Sequence, residues 1–338
     1  MFGCRVPGWF DWKYESNPYI DHVPMIVATH DGEVVGAKPC FAMQLTAGTE
    51  RVLGLQPADV MVHADHRRRG LYSRTTEELK RRYQNSTADL FFNYPNTATL
   101  QGSLKHGWSV VETVPTYYRI HDPTEFLANT RFAALAPFIR AGTRMQLGIR
   151  DRMRPRKQRI TVQRFEKIPI PSLLELYERA PPAGFHATRD ETFYRWRFDN
   201  PRWTYHAYVA RRKDELLAGI ITGTGMDGTT RLIRVVDIVP LKQSRGRQDG
   251  LRAILDRLIE DARGADLVAI SGQVIPPSLL REFGFVSDQQ LPLRLVGQPT
   301  VQVAYPLRSQ RGHPWTVAGM AVADAANWCV TFSEQDSR

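Results

Sequence analysis

Residues 59–73 have the sequence DVMVHADHRRRGLYS, and this stretch decides the fold. Val60, Met61 and Val62 form an apolar run typical of a buried strand. From Leu71 onward, Leu71, Thr75, Leu79 and Tyr83 recur every four residues, as they would on one face of a helix. A polar turn with three arginines and Gly70 lies between the two patterns. The stretch therefore predicts a strand, a tight turn and a helix in succession.

The turn has the chemistry of an anion-binding site. The first backbone N–H groups of a helix have no partner within the helix, and together with the helix dipole they favour a phosphate or pyrophosphate. Gly70 lets the backbone approach a ligand without a Cβ atom in the way, and the arginines add positive charge. An ordinary strand–turn–helix with a solvated arginine patch fits the local pattern equally well.

The segment Arg67-Arg68-Arg69-Gly70-Leu71-Tyr72 resembles the acyl-CoA-binding signature of the GNAT superfamily of N-acetyltransferases. In that family a strand is followed by Gln/Arg-x-x-Gly-x-Gly/Ala at the start of a helix. The first arginine and the first glycine match, whereas Tyr72 departs from the small last residue. The resemblance extends from about Phe10 to about Arg119 and includes Leu104-Lys105-His106-Gly107-Trp108, which is similar to the family's closing helix and Gly-Phe.

The resemblance implies acetyl-CoA as co-substrate and indicates the residues that would hold it. The strand end would lie beside the thioester, the turn would hold the pyrophosphate, and Asn96 would either contact CoA or only cap the next helix. The predicted cofactor-binding residues are Met61, Val62, His63, Arg67, Arg68, Arg69, Gly70, Leu71, Tyr72, Ser73 and Asn96.

Acetyl transfer needs a neutral amine and a protonated leaving thiolate. Asp59 is the carboxylate nearest to the predicted strand end and is the candidate base, with His63 and Glu112 as rivals. A purely structural, hydrogen-bonded role for Asp59 is the stronger interpretation. The tyrosine that the family often uses as general acid falls near Ser103 here, so Tyr94 is the candidate acid. No part of the sequence has metal-ligand spacing, and we expect no metal.

The chain also repeats itself. FDWKYESNP at residues 10–18 returns as YRWRFDNP at residues 194–201, and in each copy a hairpin, a strand, a helix, another strand, a short helix and Gly-aromatic follow in the same order. The two copies end at Gly107-Trp108 and Gly284-Phe285. The element order predicts an α/β protein with two tandem GNAT-like domains, each a mixed, mostly antiparallel sheet flanked by helices.

The expected domain boundaries follow from the repeat. Residues 1–122 form the first GNAT-like, acyl-CoA-binding domain, 123–159 a basic helical linker, 160–308 the second domain, and 309–338 a C-terminal tail. The first domain lacks room for the opening strand and helix that precede Trp196 in the second, so we expect that either the chain start is truncated or another segment supplies that edge. The apolar tail from His313 to Arg338 is predicted to fold back onto that open edge.

The cofactor turn of the second copy looks degenerate. Its Arg-x-x-Gly spacing survives as Arg247-Gln248-Asp249-Gly250, where Asp249 places a negative charge close to the expected pyrophosphate position. We therefore expect CoA to bind to the first half only.

Composition sets limits on location and partners. A net charge of +10 and a pI near 9.7 favour acidic partners such as CoA, nucleic acid or an anionic membrane surface. The three scattered cysteines indicate neither disulfides nor zinc. The sequence shows neither a signal peptide nor a transmembrane segment, so cytoplasm is the expected location. The arginine-rich linker is a solvated connector or a contact for an anionic surface or RNA.

The sequence thus favours an N-acyltransferase that moves an acetyl group from acetyl-CoA to an amine of a small molecule or a protein. A Fem-type aminoacyl transferase that uses charged tRNA is the alternative with the same two-domain plan. A non-catalytic module that binds RNA or another polyanion is a third interpretation.

Overall fold

The computed structural model describes residues 6–127, 133–154, 159–272, 274–291, 293–295, 298–308 and 315–335. Parts of the expected linker (128–132 and 155–158) and of the expected tail (309–314 and 336–338) lie outside these ranges. The strands are β1 Met25–His30, β2 Glu33–Ala47, β3 Glu50–Pro57, β4 Met61–Val62, β5 Leu90–Asn93, β6 Ser109–Val114, β7 Thr116–Ile120, β8 Thr161–Phe165, β9 His186–Ala187, β10 Thr204–Arg212, β11 Glu215–Asp227, β12 Thr230–Val239, β13 Leu267–Ser271, β14 Val286–Ser287, β15 Thr300–Pro306, β16 Thr316–Val317 and β17 Met320–Ala321.

The helices alternate with these strands along the chain. They are α1 Leu71–Tyr83, α2 Thr97–Lys105, α3 Thr124–Leu127, α4 Ala136–Met153, α5 Ile170–Arg179, α6 Glu191–Arg197, α7 Arg247–Asp261 and α8 Pro277–Glu282. A π-helical turn, Asp11–Glu15, carries Trp12. None of the helices in the described ranges is long and apolar enough to cross a lipid bilayer.

The first compact unit comprises residues 1–113, 182–202 and 300–338. Its sheet has the order β1-β2-β3-β5-β15-β6, and the short strands β4 and β9 pair with β2. Residues 35–43 of β2 are buried without interruption and are apolar except for Lys38. Helix α1 packs Leu79 and Tyr83 against Phe91 and its neighbours in the core.

The second compact unit comprises residues 114–181 and 203–299. Its sheet has the order β14-β7-β13-β12-β11-β10-β8. In both sheets one central pair is parallel, β3 with β5 and β12 with β13, and the other described pairs are antiparallel. The predicted α/β class with two mixed, mostly antiparallel sheets is confirmed.

The last strand of each sequence repeat lies in the sheet of the other unit. Strand β7 follows β6 after the single residue Pro115, yet it pairs with β13 and β14, with Ile120 opposite Leu267. Strand β15 of the second repeat lies between β5 and β6, with Val303 opposite Asn93. Each compact unit therefore contains segments from both of the consecutive domains that the sequence predicted. Neither sheet is completed by strands of its own repeat alone.

The outer edge of β1 corresponds to the place where the second repeat carries an extra strand. There, β8 pairs with β10. Within the described ranges no strand pairs with the outer edge of β1. The C-terminal tail belongs to the first unit, but it packs elsewhere: the Trp328 ring lies 4.7 Å from Phe185 and 6.0 Å from Phe92. The tail was predicted to supply the missing edge of the first sheet. Its described residues do not pair with β1.

The repeated tryptophans bind each other. Trp12 Nε1 donates to the carbonyl oxygen of Trp196 at 2.7 Å, and Trp196 Nε1 donates to the carbonyl oxygen of Trp12 at 3.0 Å. Their rings are stacked with centroids 5.8 Å apart and planes 19° from parallel. This reciprocal pair is buried in the first unit and explains why both repeats carry the tryptophan.

A buried ion pair holds the tail in the first unit. Arg189 Nη2 lies 2.9 Å from Glu334 Oε1, and both side chains are at most 1% exposed. The carboxylate also accepts hydrogen bonds from the N–H groups of Ala187 and Thr331, at 3.0 and 2.7 Å. Its neighbours therefore satisfy a charge that would be costly to bury alone.

We expect Glu334→Ala to destabilise the protein by about 3–5 kcal/mol, because it leaves the guanidinium of Arg189 buried without its carboxylate. Chemical denaturation measures the loss. The matched control is Glu191→Ala, which removes an ion pair with Arg195 whose side chains are 61% and 69% exposed and should cost less than about 1 kcal/mol. Equal losses for the two variants would contradict a structural role for the buried pair.

Candidate functional site

The predicted strand–turn–helix is present. Strand β4 pairs Met61 and Val62 with Ala37 and Gly36 of β2, and a 3₁₀ turn, Ala64–His66, follows His63. Helix α1 begins at Leu71 directly after Gly70, whose φ is +75°. A Cβ atom at Gly70 would meet nothing within 4 Å, so glycine is required here by the left-handed backbone and not by lack of space.

The N-terminus of α1 is open to a ligand. No side chain caps it, and its first turn contains no acidic residue. Arg67, Arg68 and Arg69 are exposed, and no carboxylate in the described ranges forms an ion pair with them. Arg68 has a φ of +60°, which is unusual for a residue with a side chain and typical of functional turns. Backbone donors and unpaired cations therefore converge on one turn, as an anion site requires.

A gap opens between the parallel strands before this turn. Strands β3 and β5 pair only at Gly54–Leu90 and Leu55–Phe91. Beyond that point β3 continues beside β2, and β5 continues beside β15 to Asn93. Strand β4 pairs with β2 alone in the described part of the chain. The strand ends are thus splayed and leave backbone edges that face the gap.

Tyr72, which departs from the GNAT signature, is accommodated by a glycine. Its ring packs against Gly102 of α2, where a Cβ atom would lie 2.5 Å from Tyr72 Cε1. Its hydroxyl lies 3.5 Å from Ser103 Oγ and 3.4 Å from the carbonyl oxygen of Thr99. The large side chain at the last position of the motif therefore extends toward α2 and closes part of the space between the two helices.

Lys38 is a buried cation beside Tyr72 that sequence reasoning missed. Its Nζ lies 3.9 Å from the centroid of the Tyr72 ring and donates to Thr76 Oγ1 at 2.6 Å. No carboxylate forms an ion pair with it among the described residues. Burial lowers the pKa of Lys38 to about 8, and the neighbouring Cys40 opposes this shift only in part. In the sequence, the feature that could have revealed this residue is a single lysine within the otherwise apolar run of β2.

The structure gives Asp59 a position that favours a structural role. It adopts a φ of +48° between β3 and β4. Its Oδ2 accepts hydrogen bonds from Lys13 Nζ and from the Tyr14 hydroxyl, both at 2.7 Å. The Lys13 side chain is fully buried. These two hydrogen bonds hold the carboxylate in place, and its assignment as the base stays a prediction.

Tyr94 lies at the end of β5 with its hydroxyl oxygen buried. That oxygen has no hydrogen-bond partner within the described ranges, and the same holds for Gln56 Oε1 and for both amide atoms of Gln302. Burial raises the pKa of Tyr94 well above its usual value, and the charges of Glu334 and Glu112 add to the shift. A neutral phenol that retains its proton can act as a donor, so the assignment of Tyr94 as the acid also stays a prediction.

The remaining predicted residues have simpler surroundings. His63 is exposed, and its ring accepts a hydrogen bond from the Asp65 N–H at 3.4 Å. Asn96 caps α2, because its Oδ1 accepts from the Thr99 N–H at 3.0 Å. Glu112 is half-buried on β6. The charge of Glu112 acts on Tyr94, whereas the hydrogen bonds described for Asp59 and His63 are to other residues.

The second repeat contains a turn with the same backbone shape but with different side chains. Helix α7 begins after Gly246, whose φ of +72° matches that of Gly70. Gly246 is therefore the structural counterpart of Gly70, and the alignment of Gly250 with Gly70 was wrong. Gly250 lies inside α7, where a Cβ atom would be 2.8 Å from Leu217 Cβ. The spacing Gln243-x-x-Gly246 also fits the signature and could have revealed the correct register.

A buried arginine bridges the gap in the second repeat. Strands β12 and β13 pair from Leu232–Leu267 to Val235–Ile270, and their pairing ends there. Arg247 Nε donates to the carbonyl oxygen of Pro240 at 2.6 Å, and Nη2 donates to that of Val274 at 2.5 Å. Leu71 holds the corresponding position in α1 and has no group that could make these bonds. Asp249, in the first turn of α7, pairs with Arg212 at 2.9 Å.

The described side chains contain no cluster of three or more histidine, cysteine, aspartate or glutamate residues arranged to hold a metal ion.

Residues 6–111 match the family described as Acetyltransferase (GNAT) domain. This range includes the turn, helix α1, helix α2 and strand β5. No curated protein matches the chain.

Several solved structures share the fold. A GCN5-related N-acetyltransferase from Anabaena variabilis is 14% identical with a TM-score of 0.54, over 89% of this chain and 65% of that protein. A tandem GNAT protein from the clavulanic acid biosynthesis pathway is 12% identical with a TM-score of 0.53, over 85% and 83%. The Saccharomyces cerevisiae N-myristoyltransferase with bound myristoyl-CoA is 14% identical with a TM-score of 0.56, over 88% and 72%.

These identities show the fold alone, and the chain spans about 65% of the length of the Anabaena protein. Together with the domain match, they show a GNAT domain at residues 6–111 within a chain that has the tandem GNAT fold.

We expect the stability of the wild type, relative to a Lys38→Met variant, to rise between about pH 8 and pH 10.5. In this range the unfolded lysine still binds a proton that the folded lysine has lost, so deprotonation favours the folded state. The full difference should be about 3 kcal/mol, at 1.36 kcal/mol per pKa unit. Urea denaturation of both proteins across this range measures it. A difference that does not change with pH would contradict the buried, unpaired ammonium.

Proposed function

We propose that this protein is an acyl-CoA-dependent N-acyltransferase that moves an acetyl group from acetyl-CoA to an amine. The observation that carries the proposal is the open N-terminus of α1, with its unpaired arginines, inside the segment that matches the GNAT domain. The acceptor amine belongs to a small molecule or a protein.

In the proposed reaction the amine nitrogen attacks the carbonyl carbon of the thioester. A carbon–nitrogen bond forms and the carbon–sulfur bond breaks, while one proton leaves the amine and another reaches the thiolate. The free backbone edge beyond Leu55 and Phe91 is suited to polarising the carbonyl oxygen by an N–H group. Asp59 and Tyr94 are the proposed base and acid, with His63 and Glu112 as alternatives to Asp59.

The pyrophosphate of CoA is proposed to bind at residues 67–73. The first N–H groups of α1 and the side chains of Arg67, Arg68 and Arg69 supply the positive electrostatic environment. The second repeat is proposed to bind no CoA, because Arg247 occupies its gap and Asp249 places a carboxylate in the first turn of its helix.

The comparison of the two helices suggests a direct test. Ser73 is the third residue of α1, as Asp249 is the third residue of α7. We expect Ser73→Asp to lower CoA affinity by about tenfold to a hundredfold, because a carboxylate repels the pyrophosphate where a charge-assisted hydrogen bond of about 1.5–3 kcal/mol forms. An acidic residue in the first turn stabilises a helix, so this variant should remain folded.

Isothermal titration of CoA into each variant measures the effect. Ser73→Asn is the matched neutral control and should bind like the wild type. One CoA per chain, weakened by aspartate and retained with asparagine, supports the site, and acetyl transfer to an amine panel should then fall in parallel. Wild-type protein that binds no CoA but binds charged tRNA would replace this proposal with the aminoacyl-transferase interpretation.

A further inference from the structure

Helix α4 carries an apolar stripe that is exposed in the part of the chain that the structure describes. Phe138, Met145, Ile149 and Met153 are 76%, 67%, 50% and 79% exposed. At 100° per residue these positions, seven and then four apart, lie on one face of the helix. Leu135, immediately before the helix, is 50% exposed and lies on the same face. Large exposed apolar stripes on soluble proteins mark interaction sites.

The opposite face of α4 carries the charges and rests on the second unit. Arg140 pairs with Asp122 at 3.1 Å, and Arg154 pairs with Asp256 at 2.6 Å. Arg144 Nε donates to the carbonyl oxygen of His121 at 3.3 Å. The helix is therefore attached to its own protein by its arginines and presents its hydrophobic residues outward.

This orientation distinguishes between the acidic partners that composition allows. RNA binding needs arginines that are free to neutralise phosphates, whereas Arg140 and Arg144 of α4 and Arg154, which follows it, contact the protein instead. Apolar side chains also gain little from a phosphate backbone. A second copy of the chain could cover the stripe, but it would bring together two molecules with a net charge of +10 each.

A lipid bilayer with an anionic surface fits both features. Arg152 is exposed beside the apolar stripe and can reach lipid headgroups while the stripe enters the hydrocarbon. Arg150 is exposed on the other side of the stripe, and its Nη1 donates to the carbonyl oxygen of Arg281 at 3.1 Å. The helix of 18 residues is about 27 Å long, which suits a segment lying flat in the interface. The net charge of the chain adds a long-range attraction to such a surface.

We propose that α4 is an interfacial helix by which the protein docks on an anionic lipid surface, with Phe138, Met145, Ile149 and Met153 inserted between the lipids. The proposal does not depend on the acyltransferase assignment. It places the second unit against the membrane, with the polar face of α4 between the lipid and the protein.

Cosedimentation of the full chain with phosphatidylcholine vesicles, with and without phosphatidylglycerol, tests the proposal. We expect binding to the anionic vesicles that weakens with added salt. The double substitution Phe138→Asp and Met145→Asp should lower the partition coefficient by about a hundredfold, since it removes two inserted side chains. The matched control is Met226→Asp, which alters a methionine that is 53% exposed on β11, and it should bind like the wild type.

Three outcomes would overturn the proposal. One is a folded wild type that binds neither kind of vesicle, and another is an equal loss of binding with Met226→Asp. The third is a wild-type dimer, detected by light scattering, that the double substitution converts to a monomer while vesicle binding is absent. That result would assign the stripe to a second copy of the chain.

Discussion

The exchange of strands β7 and β15 is the constraint on which the rest of the structure depends. Each strand fills a position inside a sheet, so each sheet has unpaired backbone groups until the other repeat supplies its strand. The exchange also sets the shape of the candidate site. Because β15 pairs with β5 as far as Asn93, β5 remains extended after its pairing with β3 has ended at Phe91. The reciprocal hydrogen bonds of Trp12 and Trp196 add a second contact between repeated elements.

The two repeats contain turns of the same backbone shape that carry chemically different side chains. Gly70 and Gly246 both precede a helix in the left-handed conformation. The residue that follows differs between the repeats. The side chain of Leu71 has no hydrogen-bonding group, whereas the guanidinium of Arg247 bridges the carbonyl groups of Pro240 and Val274. A buried arginine with its hydrogen bonds satisfied by the protein stabilises that region. These hydrogen bonds of Arg247 support the proposal that the second repeat binds no CoA.

Local features were predictable from the sequence, and nonlocal ones were not. The strand, turn and helix around Gly70, the cap at Asn96 and the two mixed sheets follow from residues close together in the chain. The exchange of β7 and β15 could not be predicted, because the strand pattern is the same whichever sheet the strand joins. The register of the second turn was misassigned because Arg-x-x-Gly was matched at Gly250 instead of Gln-x-x-Gly at Gly246. The hydrogen-bond partners of Asp59 are Lys13 and Tyr14. Because they lie more than forty residues away in the sequence, the local pattern could not predict them.

The central claim is that only the turn of the first repeat binds CoA. Hydrogen–deuterium exchange with and without CoA tests it directly, because backbone N–H groups that bind phosphate exchange more slowly. The account predicts protection of residues 67–75 and no change at residues 243–252. Protection at residues 243–252, or at neither turn under saturating CoA, would contradict it.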